Sequence, residues 1–137
     1  MRRLLPLILL GLVVSFAHPH AQAGSAAENT VIGVWSGTYT GDGSGKYTMT
    51  IARDAAKKLG GSLTNTSAEG ESFTSTFKTV TVNGPKLTIA YDTAGGDGGE
   101  VQLEATIDKA SLTGAWKVVD SAKNVVQSGT FVGTKDK

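Results

Sequence analysis

The chain has 137 residues, 18 of them glycine, no cysteine, and a formal net charge of +1. This length fits one domain, and the lack of cysteine excludes disulfides and a lipid-modified N-terminal Cys. Beyond Arg2 and Arg3 the only arginine is Arg53, and apart from Lys57-Lys58 the lysines stand singly, which argues against nucleic acid, whose phosphates call for clustered cations.

Arg2 and Arg3 precede an apolar run from Leu4 to Phe16, and Ala21-Gln22-Ala23 follows with small residues at cleavage spacing. This pattern predicts a secretory signal peptide over residues 1–23. A membrane anchor is the alternative, but the run is shorter than the ~20 residues a span requires. The paired arginines also fit twin-arginine export, although the strongly apolar run suits the general secretory route better. The expected mature chain is therefore secreted or periplasmic. It keeps no histidine, since His18 and His20 lie in the leader. Without Arg2 and Arg3 the 13 basic residues fall one short of the 12 acidic ones.

Residues 24–30 are small and polar and predict a flexible lead-in. The barrel domain is expected over 31–134. Its first strand runs from Val31 to Thr40, with Gly33, Trp35, Gly37 and Tyr39 on one face. Gly41 to Lys46 is glycine-rich but lacks the spacing of a phosphate loop, so a hairpin is expected. Tyr47–Ile51 alternates as strand two. Arg53–Lys58 makes a turn, and Leu59–Thr66 is strand three. Asn65-Thr66-Ser67 fits a glycosylation acceptor, which matters only in a eukaryotic secretory pathway.

Glu71–Val82 predicts strand four. Its apolar parity shifts from Phe73, Ser75 and Phe77 to Val80 and Val82, which places a bulge or bend between them. Asn83-Gly84 is a hairpin signal. Leu87–Tyr91 is strand five and Val101–Asp108, the cleanest alternation, is strand six. Ser111–Val119 and Val125–Thr134 complete the set. About eight strands joined by short turns predict an all-β fold, a single antiparallel up-and-down β-barrel closed by pairing the last strand with the first. The inward set is expected to include Trp35, Tyr39, Tyr47, Met49, Ile51, Leu59, Leu63, Phe73, Phe77, Leu87, Ile89, Tyr91, Val101, Leu103, Ala105, Ile107, Leu112, Trp116, Val118 and Phe131. An eight-stranded barrel either fills with side chains or holds one small ligand.

The Gly33-Val34-Trp35 triplet resembles the Gly-x-Trp of the first strand of lipocalins. The order Trp35-Ser36-Gly37, Leu59-Gly60-Gly61-Ser62-Leu63, Val82-Asn83-Gly84 with Lys86-Leu87-Thr88-Ile89, and Leu112-Thr113-Gly114-Ala115-Trp116 is similar to a small secreted bacterial calycin-like barrel module. The resemblance spans about residues 31–134. It implies a binding role, with no settled activity to carry over. The C-terminal helix and disulfides usual in lipocalins have no counterpart in the sequence.

Several chemistries are weighed against packing. Ser75 and Lys78, three apart in a strand, point to opposite faces and make no dyad. Asp92, Asp97 and Glu100 bracket a glycine-rich loop and are the weak candidates for calcium, with a solvated turn the favoured reading. No metal and no cofactor is expected. Without His or Cys, and with its acids on loops or outer faces, the mature chain is expected not to be an enzyme. The leading expectation is a barrel binding a small apolar ligand in its lumen, with Trp35, Tyr39, Tyr47, Phe73, Phe77, Tyr91, Trp116 and Gln127 as candidate contacts. The alternative is a packed barrel whose loops bind a macromolecular partner, as an inhibitor-like or envelope interaction module.

Overall fold

The computed structural model describes residues 25–137; the leader expected over 1–23 lies outside them. Its elements are α1 (Ser25–Val31), β1 (Gly33–Gly41), β2 (Gly45–Arg53), β3 (Leu59–Ser67), β4 (Ser72–Thr76), β5 (Thr79–Asn83), β6 (Lys86–Asp92), β7 (Glu100–Asp108), β8 (Ser111–Val119) and β9 (Val125–Lys135). The strands form one sheet in the order β4-β3-β2-β1-β9-β8-β7-β6-β5. Neighbours are antiparallel, and the first strand pairs with the last, Tyr39 opposite Phe131. The fold is the expected all-β, up-and-down barrel, because period-2 alternation and short turns leave each strand only its chain neighbour to pair with.

Nine strands replace the expected eight because the fourth divides at the predicted bend. β4 pairs with β3 and β5 pairs with β6. At the switch the Phe77 N–H donates to Gly61 O (2.9 Å) and the Lys78 N–H to Ala90 O (2.8 Å). One continuous run of chain therefore crosses from one end of the sheet to the other and curls it into a barrel. Elsewhere along this seam one flank of β4 and one of β5 carry no strand partner.

The segment expected to be a flexible lead-in is ordered instead as α1, which plugs one end of the barrel. Val31, at its last residue, is buried, and its carbonyl accepts a 2.9 Å hydrogen bond from Trp35 Nε1. Glu28 pairs with Arg53 at 2.7 Å, and the Lys135 ammonium donates to Thr30 O (3.1 Å) while lying 5.7 Å from the centre of the Trp35 ring. Helix and strand are joined through Ile32 and Gly33. Gly33 has φ +140°, and a Cβ there would stand 2.6 Å from Lys135 Cε. At the same end the two-residue hairpin after Asn83 takes φ +59° at Gly84, the first central position, where glycine is favoured.

The core follows the inward parity. Trp35, Met49, Ile51, Leu87, Ile89 and Leu112 are almost wholly enclosed. Phe73 departs from expectation. It keeps the inward parity, opposite Asn65, yet is 49% exposed. It lies on β4, whose other flank has no strand to cover the ring. We expect Phe73→Ala to change unfolding stability by less than about 0.5 kcal/mol. Urea denaturation checks this, and a larger loss would mean the ring is covered in solution.

Candidate functional site

The end opposite α1 is open. Along β1, Trp35 and Tyr39 share the inner face four residues apart, which separates them by about 13 Å. Trp35 closes the floor and Tyr39 stands at the mouth. Between the mouth and the enclosed core is a cavity of about 230 Å³, walled by Tyr39, Tyr47, Met49, Leu63, Asn65 and Tyr91, together with Val101, Leu103, Trp116, Val118, Gln127 and Phe131, and reached by the hairpin residue Gly43.

Glycines make room for the ring side chains of this wall. Trp116 is registered opposite Gly129, and Phe131 opposite Gly114. Tyr39 is opposite Gly45 and Tyr47 opposite Gly37. A Cβ on Gly129 would stand 2.6 Å from Trp116 Nε1, and one on Gly114 would stand 2.8 Å from Phe131 Cζ. Each ring lies over a bare stretch of the neighbouring backbone, a known way of pinning register in curved sheets. Two edge-to-face pairs result, Tyr39 with Trp116 (6.2 Å, 89°) and Tyr47 with Phe131 (5.9 Å, 85°), the geometry that aromatic quadrupoles favour.

Some polar tips in the wall are already engaged. Trp116 Nε1 donates to Thr40 O (3.1 Å) and the Tyr47 hydroxyl to Val132 O (3.0 Å). The Tyr39 and Tyr91 hydroxyls and the Asn65 and Gln127 amides make no hydrogen bond to other described residues. Burial pushes the Tyr47 phenol from 10.0 up to about 12. Burial does the same for Tyr91, with the nearby Tyr39 phenol adding to it. Ionising either group costs the folded chain more than the unfolded one. Their contribution to stability is therefore complete below pH 10 and is lost as pH rises through about 12. We expect stability to hold through neutral pH and to fall over that alkaline window, followed by denaturation alongside ultraviolet titration of the phenols. Ionisation of Tyr47 and Tyr91 at the ordinary value would contradict this.

Of the expected contacts, Tyr39, Tyr47, Tyr91, Trp116 and Gln127 are brought together around the cavity. Trp35, Phe73 and Phe77 are not, and the expectation is corrected for them. Trp35 is at the closed end against α1, and Phe73 sits at the seam. Phe77 is buried at the β4–β5 switch, its ring centre 6.0 Å from that of Tyr91. Asn65, met in the sequence only as a glycosylation acceptor, lines the cavity. Its parity with Leu59 and Leu63 was the available signal.

The three loop acids do not gather around one point. Asp97 turns inward to its own loop, accepting from the Thr93 hydroxyl and from Gly99 N–H, which hold its carboxyl below the usual range. Asp92 and Glu100 both engage Lys78, at 3.0 and 3.2 Å. The Asp92 and then Glu100 carboxylates raise Lys78, while Gln102 and then Lys78 lower Glu100. These acids are the weak calcium candidates Asp92, Asp97 and Glu100. Their oxygens serve a turn and an ion pair, and no cluster of metal-ligating side chains occurs among the described residues. No helix among the described residues is long and apolar enough to cross a membrane.

No family profile and no curated protein matches the chain. Solved structures do. The structure of EF1p2_mFAP2b bound to DFHBI is similar at a TM-score of 0.66 and 14% identity, over 82% of this chain and 98% of that one. A redesigned β-barrel, mFAP1, also bound to DFHBI, gives 0.60 and 16%, over 80% and 98%. Rv2717c from M. tuberculosis gives 0.57 and 10%, over 82% and 96%. At these identities the likeness shows the fold, an antiparallel β-barrel spanning nearly the whole of each relative.

Proposed function

We propose that this protein is a secreted or periplasmic, non-enzymatic, lipocalin-like barrel that binds a small apolar ligand in its lumen. The cavity carries the reading. One end of the barrel is closed by α1 and Trp35, the other opens onto about 230 Å³ of mainly apolar, aromatic-walled space. That volume lies between the ~150 Å³ of a dry cavity that takes up benzene and the ~300–1,000 Å³ of drug-sized sites. Two similar barrels hold DFHBI, which supports a small molecule as the occupant of such a fold. Export rests on the leader pattern of residues 1–23. A non-enzymatic role rests on the absence of His and Cys after residue 20 and on a wall that offers tyrosines and amides but no carboxylate. The alternative, a packed barrel working through its loops, fits less well because the lumen is not filled.

Tryptophan emission tests the reading, since Trp116 lines the cavity and Trp35 does not. A panel of apolar ligands should include members that quench the wild type and Trp35→Phe, and that leave Trp116→Phe unquenched. Quenching that follows Trp35, or none from any ligand, would contradict it.

A further inference from the structure

We propose that the cavity selects an uncharged, flat ligand of about two fused rings bearing a hydrogen-bonding oxygen, and discriminates against carboxylates and flexible chains of similar size. This rests on the reading of the lumen as a binding site and adds the chemistry of its occupant.

Charge is the first argument. None of the residues walling the cavity is charged. Lys46 and Lys117, the nearest lysines along β2 and β8, alternate with Tyr47 and Trp116 and are exposed on the outside. A carboxylate entering the lumen would lose its water and find no cation, which costs far more than burying a hydrogen-bonded neutral group.

Polarity is the second. With Tyr47 and Trp116 engaged by backbone carbonyls, the Tyr39 and Tyr91 hydroxyls and the Asn65 and Gln127 amides are the polar atoms left to meet a ligand. The Tyr91 hydroxyl is a phenol, which donates at neutral pH. Asn65 on β3 and Gln127 on β9 stand on different walls, separated by β2 and β1. A carbonyl or ring oxygen matches this set, because it needs a neutral donor and no counter-charge.

Shape is the third. The edge-to-face pairs Tyr39–Trp116 and Tyr47–Phe131 give the wall rigid ring surfaces for offset or edge-on packing. Below them Met49 and Leu63 line the cavity in register with the enclosed Trp35, so the cavity is short. A rigid ring loses little freedom on entering, whereas a chain must give up several torsions.

The test is calorimetric titration of the mature protein with coumarin, with a coumarin carboxylic acid that is anionic at neutral pH, and with decanol. Decanol matches coumarin in heavy atoms but is a flexible chain. Coumarin should bind most tightly, with the carboxylate and decanol each weaker by roughly tenfold or more. Coumarin affinity should also be lost in Val101→Trp, which fills the cavity. Equal or tighter binding of the carboxylate would overturn the charge argument, and of decanol the shape argument, with the lumen still the site. Coumarin binding that survives Val101→Trp would place it elsewhere and overturn the proposal. If none of the three binds, this ligand class is wrong, and the quenching panel shows separately whether the lumen reading falls with it.

Discussion

Replacing Trp35 with alanine is expected to cost about 3–5 kcal/mol of unfolding stability. Trp35 is fully enclosed, at 0% exposure, and its indole is what α1 rests on. Truncation removes the ring from the barrel floor. It also leaves the Val31 carbonyl without the donor that reaches it at 2.9 Å, and the Lys135 ammonium without the ring it lies over. Domains of this size have about 5–15 kcal/mol in total, so the loss is a large share of what holds the chain folded. Trp35→Phe separates the two contributions, since it keeps a ring but removes the donor. It should cost about 1–3 kcal/mol and speed hydrogen exchange in α1 more than in the sheet. Urea unfolding gives the first quantity and exchange the second. A loss below about 1 kcal/mol for Trp35→Ala would mean that the helix does not close this end.

Gly129→Ala is expected to damage both the barrel and its cavity, although it adds a single carbon. Gly129 lies opposite Gly41 on β1 and Trp116 on β8. The added Cβ would meet the Thr40 carbonyl oxygen of the neighbouring backbone and stand 2.6 Å from Trp116 Nε1. That carbonyl is the acceptor of the Trp116 hydrogen bond. Either β9 moves away from β1, opening the pairing that closes the barrel, or the indole swings into the lumen. The stability cost of such overpacking is about 1–3 kcal/mol. Ligand affinity should fall by at least about tenfold, because a 1 Å displacement of a packed wall matters in a close-packed interior. Unfolding and quenching titrations on the same variant check both. Wild-type values in both would show that Trp116 and Gly129 are not in contact in solution.

These two residues also mark how far the sequence could be read. Parity told inside from outside correctly for nearly every strand, because a slip of one residue would send a whole apolar set to water. The closing β1–β9 pair, the bend after Phe77 and the Asn83-Gly84 hairpin were legible for the same reason. Height along the barrel was not. Trp35 and Tyr39 have the same parity on one strand, yet one seals the floor and the other frames the mouth. That difference depends on strand tilt and stagger, which no single segment encodes. Phe73 was misplaced because parity does not say whether a neighbouring strand exists to cover the ring. Asn65 was missed as a wall residue because its Asn-Thr-Ser string suggested the surface, while its alternation with Leu63 pointed inside. The helical form of residues 25–31 was hidden by length. One short helix has no period to detect, and it is held by Trp35, Arg53 and Lys135 rather than by its own propensity.

The aromatic residues and glycines of this chain form one device. Bare backbone opposite Trp116, Phe131, Tyr39 and Tyr47 lets large rings lie against the strands and leaves space between them. The same rings spread through the lumen without glycines opposite would fill it. The lumen as a binding site is thus the central claim, and native mass spectrometry of wild type and Val101→Trp, each purified gently from the exported compartment, tests it most directly. A reproducible adduct on the wild type, released on unfolding and absent from Val101→Trp, is the predicted result. Bare polypeptide mass for both proteins, or the same adduct on both, would contradict it.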